Sequence, residues 1–344
     1  MGGKPTLKDI AGKLQVSTVT VSNALAGRSG VGEELRSRII QEARAIGYQR
    51  GKRKEKASSA KKRTLVGMKI GVITEERYLE KFTSFYWELY QKIVIEASQN
   101  GNFVLLEVLT EEMRRFGELP KLVQQSQVDA LIVLGRMSTP YLHKLHDLFM
   151  EPMVLMDFDD VEISCDSVIS NGFYGMYYMT NYLIHAGHTK LGFVGSYLAT
   201  DSIMDRYQGF TKSLLEHGLL EREEWILDDR DTDTGKTFVN LPKEMPTAFV
   251  CNCDLTVNLM AEELRKAGYR IPEDISLVGF DDFLAEGDMK GKITTYSVDM
   301  EAMAHYGLKL LMKRKKGELD EKIVRIVEGR LIERSSAAKY PFCG

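Results

Sequence analysis

Four cysteines in 344 residues do not make a disulfide framework. Cys251 and Cys253 flank one asparagine, a spacing able to bind metal, but no Cys or His cluster accompanies them. They read as small apolar residues near the end of a buried strand, and neither a metal nor another cofactor is expected. No run of about 18 apolar residues occurs, so nothing spans a membrane. The polar N-terminus enters a helical pattern almost at once and shows no secretory signal, which points to the cytoplasm. Catalytic signatures are also missing: there is no GxSxG elbow, no P-loop lysine and no strand-anchored dinucleotide glycine pattern. Gly192 and Gly195 are too few to cradle a pyrophosphate. His185 and His188, near Cys165 in the chain, read as hydrogen-bonding groups, so the chain is not expected to be an enzyme. The C-terminus lacks a leucine heptad, which argues against a coiled-coil tetramer. No internal repeat is evident.

Charge is unevenly spread. The net charge is only −3, yet residues 1–63 hold 15 Lys and Arg against 5 Asp and Glu, and the remaining 281 residues hold 31 against 44. A basic module on an acidic body is the asymmetry expected when one end meets phosphate. The run from Arg50 through Lys52 and Arg53, and Lys61 to Arg63, are its densest parts. A charge run is usually just solvated. This one follows the helical patterns described next, which favours non-specific, salt-dependent phosphate contact.

Residues Thr6 to Leu25 read TLKDIAGKLQVSTVTVSNAL, two short helical patterns broken at Leu14-Gln15-Val16. Thr6 with Asp9 three positions on is a near-miss of the capping box. Ser17 is placed to cap the second helix, whose Val21, Ala24 and Leu25 recur at helical spacing and face inward. Thr18, Val19, Ser22 and Asn23 are then turned outward, as in a helix-turn-helix that inserts its second helix into a major groove. A small helical hairpin without a ligand is the bland alternative.

From Met68 onward, short apolar runs alternate with amphipathic stretches. Candidate strands are Lys69–Ile73, Phe103–Val108, Ala130–Leu134, Met153–Met156, Leu191–Val194, Ala248–Cys251 and Ser276–Phe280. Candidate helices are Tyr86–Gln99, Gly172–His185, Asp205–His217, Asp254–Ala267 and Met300–Arg314. The alternation predicts parallel sheets covered by helices on both faces, and the number of units predicts two sheets rather than one. Ligands in such folds bind beyond the carboxyl ends of strands, so a cleft between two lobes is the natural pocket. Strand ends there are polar: Glu75, Asp157, Cys253-Asp254 and Asp281-Asp282, with Arg206 beside Asp205 at the start of a predicted helix. Asp254 also suits a plain helix cap. Carboxylates and an arginine at several ends suit a polyhydroxylated ligand.

Several motifs in consistent order resemble the lactose/galactose-repressor (LacI/GalR) family. They are TLKDIAGKLQVSTVTVSNALAG with Val31-Gly-Glu-Glu and Ala45-Ile-Gly-Tyr48, then Leu183-Ile-His-Ala-Gly-His188 before Leu191-Gly-Phe-Val-Gly195. Arg206-Tyr-Gln-Gly-Phe210, Ile271-Pro-Glu-Asp-Ile-Ser-Leu-Val-Gly-Phe-Asp-Asp282 and Arg330-Leu-Ile-Glu-Arg-Ser-Ser336 follow. The resemblance implies an all-α helix-turn-helix headpiece over residues 1–49, a basic linker over 50–66, and an α/β body over 67–344. That body would be periplasmic-binding-protein-like, with two doubly wound subdomains. It implies a homodimeric, cytoplasmic transcription regulator, a repressor, that binds double-stranded operator DNA and a sugar-like effector. By position, Thr18, Val19 and Asn23 face bases, and an Asn–adenine pair supplies ~1–3 kcal/mol of discrimination. Ser17, Thr20 and Ser22 lie nearer phosphates; Thr6, Arg28, Lys52 and Arg53 complete the candidate DNA contacts. Asp157, Arg206 and Asp281 match effector-contacting positions, with Glu75, Phe85, Cys253 and Asp254 as further candidates.

Departures from the family pattern matter as well. Cys253-Asp254 stands where the family has Asn-Asp, and Asn23 where arginine is common. The stretch Gln49 to Thr64, QRGKRKEKASSAKKRT, lacks the family's hinge leucine, which argues against a minor-groove wedge and for a flexible basic tether. A solute-binding protein of the same fold without DNA function is the competing reading; the basic headpiece speaks against it.

Overall fold

The computed structural model describes residues 5–25, 31–46, 48, 67–79, 84–231 and 236–340. The tether over 50–66 and Arg28, Lys52 and Arg53 lie outside the described residues.

Among the described residues three helices make the headpiece: α1 (Leu7–Leu14), α2 (Thr18–Leu25) and α3 (Glu33–Ala45). Their inward positions are the ones the helical spacing selects: Ile10, Ala11, Val21, Ala24, Ile39 and Ala43 form a small core. Gln15 adopts a left-handed φ of 53° and ends α1, turning the chain into α2. The capping box at Thr6 is more complete than its sequence suggests. The Asp9 carboxylate accepts from the Thr6 N–H at 2.7 Å and from its hydroxyl at 2.8 Å, and these bonds lower its pKa. The Ser17 hydroxyl accepts from the Thr20 N–H at 3.0 Å, so Ser17 caps α2.

The body opens with β1 (Lys69–Glu75), α4 (Phe85–Gln99), β2 (Phe103–Leu109), α5 (Glu111–Arg115) and α6 (Lys121–Gln124). Next come β3 (Ala130–Leu134), α7 (Thr139–Leu148), β4 (Met153–Met156) and β5 (Asp166–Ser170). The second lobe holds α8 (Gly172–His185), β6 (Leu191–Val194), α9 (Asp201–Glu216), β7 (Ile226–Leu227) and β8 (Ala248–Cys251). It continues through α10 (Asp254–Lys266), β9 (Ser276–Asp281) and β10 (Thr294–Ser297). The chain then returns to the first lobe for α11 (Met300–Lys316) and β11 (Val324–Val327), and ends in the second with β12 (Arg330–Ile332).

Two six-stranded sheets result, ordered β11-β5-β4-β3-β1-β2 and β12-β10-β9-β8-β6-β7, and all pairs are parallel except β10 with β12. Helices cover both faces, so central strands such as Ala130–Leu134 are buried throughout. This is the two-sheet α/β arrangement expected from the strand–helix alternation.

Three segments join the lobes: Asn171, Val298-Asp299 and Glu328-Gly329. Asn171 ties two of them together. Its amide donates to Glu328 Oε1 at 2.7 Å, its N–H to the Val327 carbonyl at 3.0 Å, and its own oxygen caps α8. The Tyr296 hydroxyl accepts from the Gly329 N–H at 2.8 Å.

In the second lobe α8 and α9 pack backbone to backbone. A Cβ on Gly209 would stand 2.1 Å from the Phe173 carbonyl oxygen, so the helices would have to part to admit one. Gly209→Ala is therefore expected to destabilise the body by ~1–3 kcal/mol in urea unfolding. An unchanged midpoint would show that the contact is looser than described.

Candidate functional site

The outward face of α2 is built as the sequence pattern requires. With Val21 and Ala24 buried, Ser17, Thr18 and Val19 are exposed, and Val19 is 65% accessible despite being apolar. Thr20, Ser22 and Asn23 are half-buried at its flanks, and Thr6 is exposed beside α1. The Ser17 and Thr20 hydroxyls bond each other at 2.8 Å. Arg36 donates to the Ala24 carbonyl at 3.2 Å and so supports the α2 C-terminus.

The second candidate site lies where the two sheets point their carboxyl ends at one another. Asp157 follows β4 and Asp281 ends β9; both hold positive φ, 66° and 93°, and so does Asp282 at 57°. Aspartate tolerates this region better than most residues, and here it turns carboxylates off the strand ends. The Asp157 carboxylate accepts from the Tyr86 hydroxyl at 2.9 Å and from the Ser170 hydroxyl at 3.3 Å. From the other lobe, Arg206 lays its guanidinium 4.0 Å above the Phe280 ring and donates to the Asn252 carbonyl at 3.0 Å. Its Nε is buried without a hydrogen-bond partner among the described residues. Exposure of 7% for Asp157, 7% for Arg206 and 9% for Asp281 puts all three in the closed interior. Burial raises the pKa of both carboxyls, opposed by the field of Arg206. The Asp281 carboxylate also accepts from the Phe283 N–H at 2.9 Å and from the Asp254 N–H.

The remaining candidates are placed differently. Arg206 stands in the second turn of α9, not at its start, because Thr200 caps that helix by accepting from the Ile203 N–H at 3.2 Å. Glu75 is buried but committed elsewhere, with Arg77 Nε at 2.6 Å and Arg114 Nη1 at 3.3 Å. Phe85 opens α4 and meets Tyr86 edge-on at 5.4 Å. Asp254 is the first residue of α10 rather than its cap, and its carboxylate accepts from the Thr295 hydroxyl at 2.7 Å. Cys253 is the N-cap residue, 3.2 Å from the Thr256 hydroxyl and 4.0 Å from Arg230. Among the described residues no acidic, Cys or His group forms a metal cluster.

Sequence reasoning missed Tyr86, Asn252, Asp229 and Arg230. The Asp228-Asp229-Arg230 run was the available signal, but it follows a strand of two residues, too short to read. Arg230 grips Asp229 with bonds of 2.9 and 2.7 Å beside the cleft. Arg136, after β3, pairs with Asp201 of α9 from lobe to lobe. A cavity of about 460 Å³ borders the hinge, lined by Lys92, Asp281, Ser297, Asp299 and Glu328 among others.

Comparison with known proteins adds matches to two family models. Residues 6–51 match the model for bacterial regulatory proteins of the lacI family, and residues 180–337 match a periplasmic binding protein-like domain. The chain thus carries a lacI-family helix-turn-helix domain and, after it, a periplasmic-binding-protein-like domain. An HTH-type transcriptional repressor PurR of Escherichia coli O139:H28 is 26% identical over 347 residues, covering 98% of each chain. A transcriptional regulator CelR–cellobiose complex superposes with a TM-score of 0.67 at 21% identity, over 96% of this chain and 99% of that one. The lac repressor dimer bound to operator and the anti-inducer ONPF gives 0.64 at 18% identity, over 98% and 100%. No helix among the described residues of this chain is long and apolar enough to cross a membrane.

The buried carboxyls give a pH dependence with a definite sign. Asp281 is pushed up to about 7 from an ordinary 3.8. Between those values the folded chain keeps a proton that the unfolded chain has released. Its stabilising effect is therefore full at the acid end and lost as pH rises through about 7. Asp281→Asn is expected to flatten part of the stability decline between about pH 4 and about pH 7, measured by denaturant titration at fixed pH. Parallel curves for variant and wild type would contradict it.

Proposed function

We propose that this lacI-family regulator is a homodimeric repressor of transcription whose hold on operator DNA is set by a neutral, polyhydroxylated effector, a sugar or sugar derivative, closed between the lobes. The observation that carries the effector class is Arg206, a buried cation with an unused donor, flanked by Asp157 and Asp281 from opposite lobes. Hydroxyls both accept from a guanidinium and donate to carboxylates, so a polyol satisfies all three groups. A dianion would meet two buried carboxylates and is disfavoured. The CelR structure, with its cellobiose, is in keeping with this class. Phe103, Leu105 and Ile95 leave an apolar strip uncovered along the edge strand β2 and α4, which suits a second copy. The exposed α2 face has no purpose in a protein that only carries solutes, and the relatives are repressors rather than enzymes.

A thermal-shift screen of the full chain with neutral sugars, sugar phosphates and nucleobases, with and without duplex DNA, tests this reading. Stabilisation by a neutral polyol that changes on adding duplex is the expected result. A response confined to sugar phosphates or nucleobases would remove the effector class. With the effective sugar in hand, Arg206→Met should weaken its binding about 10- to 100-fold, the loss of ~1.5–3 kcal/mol for a charged hydrogen bond. Calorimetry showing wild-type affinity would clear Arg206 of that role. Selection from a random duplex pool should yield paired half-sites, and Asn23→Ala should relax the preference at one base pair in each. Recovery of an identical consensus would exclude a base contact by Asn23.

A further inference from the structure

Regulation needs a physical connection between body and headpiece, and the chain connection is poorly suited to supply it. Gln49 to Thr64 contains no apolar residue larger than alanine, so it has no side chain with which to bury a face against either part. A side-chain contact bridges them instead. Helix α7 ends at Leu148, and the carbonyls of a last helical turn lack intrahelical partners and carry partial negative charge. Arg44, in the last turn of α3, reaches that end. Its Nη2 donates to the Phe149 carbonyl at 2.9 Å, and its Nη1 lies 2.8 Å from His146 Nδ1 and 3.3 Å from Asp147 Oδ1. Its Nε meets the Met150 sulfur at 3.4 Å. The guanidinium thus closes the C-terminus of a body helix from outside the body. Leu25 and Tyr48 line the same junction, around a cavity of about 520 Å³. Thr18 and Val19 remain exposed, so docking leaves the DNA-reading face free.

We propose that Arg44, seated on the C-terminal end of α7, is the link through which the first lobe and the DNA-reading helix sense one another. This rests on the regulator reading above and adds the route. Because α7 follows the β3 end that carries Arg136, and Arg136 pairs with Asp201 across the lobes, lobe movement bears on the helix that Arg44 holds.

Hydrogen exchange of the full chain, alone and with a duplex selected from a random pool, tests the link. Without DNA, Arg44→Ala and Arg44→Gln should speed exchange over residues 145–150 at least several-fold, whereas Arg38→Ala, an exposed charge loss on the same helix, should not. With DNA, wild type should show slowed exchange over those residues. Arg44→Ala should lose that response while binding the duplex within about threefold of wild type. Unchanged exchange over residues 145–150 in DNA-free Arg44→Ala overturns the contact. A full DNA response in that variant overturns the link even though the regulator reading stands. Wild type that retains no duplex at all removes the regulator reading, and the link with it.

Discussion

The placement of one cation, Arg206, constrains the whole body. A guanidinium stays charged at any pH a folded protein meets, so burying it demands compensation on the spot. No single element supplies that. Phe280 offers a ring face and Asn252 a carbonyl from its own lobe, while Asp157 approaches from the other. Only with the lobes together do both carboxylates bear on the guanidinium. Parting them would return three ionisable groups to water, a change that relieves burial and forfeits attraction. The two effects are of opposite sign, so a ligand that supplies hydrogen-bond partners to these groups bears directly on the balance.

That balance is useful only if the lobes move as units. The central strands of both sheets are buried on both faces and resist deformation, which leaves the three crossings as the natural place for relative movement. There the polar ties run from Asn171 to Glu328 and Val327, and from Tyr296 to Gly329 and Glu328. A ligand that binds the closed form better than the open one shifts the population by that difference alone. The basic headpiece converts the shift into DNA affinity to the extent that it is attached to a lobe. Arg44 on α7 supplies an attachment that the linker composition does not.

How much of this was legible in the sequence follows from burial. Ala130–Leu134, Met153–Met156, Leu191–Val194 and Ala248–Cys251 are unbroken apolar runs because both faces of the sheet are covered, and their bounds were readable to the residue. Strands β5, β10 and β11 were missed. DSVIS and TTYS carry hydroxyls and an acid whose partners lie far along the chain: Asp166 takes both arms of Arg314, and Thr294 bonds Arg334. VRIV is an edge strand with exposed side chains, where no apolar run is required. The start of α9 was hidden for a related reason, since Thr200-Asp201-Ser202 reads as loop until its capping bond is seen. Asp157, Arg206 and Asp281 were legible from motif position, and their meeting was not: only the fold brings residues 124 positions apart to one cation. Glu75 shows the converse, an acidic strand end whose charge is already claimed by Arg77 and Arg114.

The acceptor that holds Arg206 in its own lobe is itself held by a second charge pair. Burial alone would raise the pKa of Asp229, but bonds from Arg230, the Ser196 N–H and Thr256 overcome it and bring the value to about 2. An anion so firmly ionised is a fixed acceptor, and the Asn252 amide donates to it at 2.5 Å. With its side chain pinned by Asp229 and its N–H given to Val194, Asn252 has little freedom to withdraw the carbonyl that Arg206 uses. Asn252 thus serves Arg206 through its backbone oxygen, while its side chain is spent on Asp229. Cys253, the next residue, is buried between Arg230 and Thr256 and lies in the field of Asp281. The charge pair Asp229–Arg230 therefore holds, through Asn252, the carbonyl on which the buried Arg206 rests.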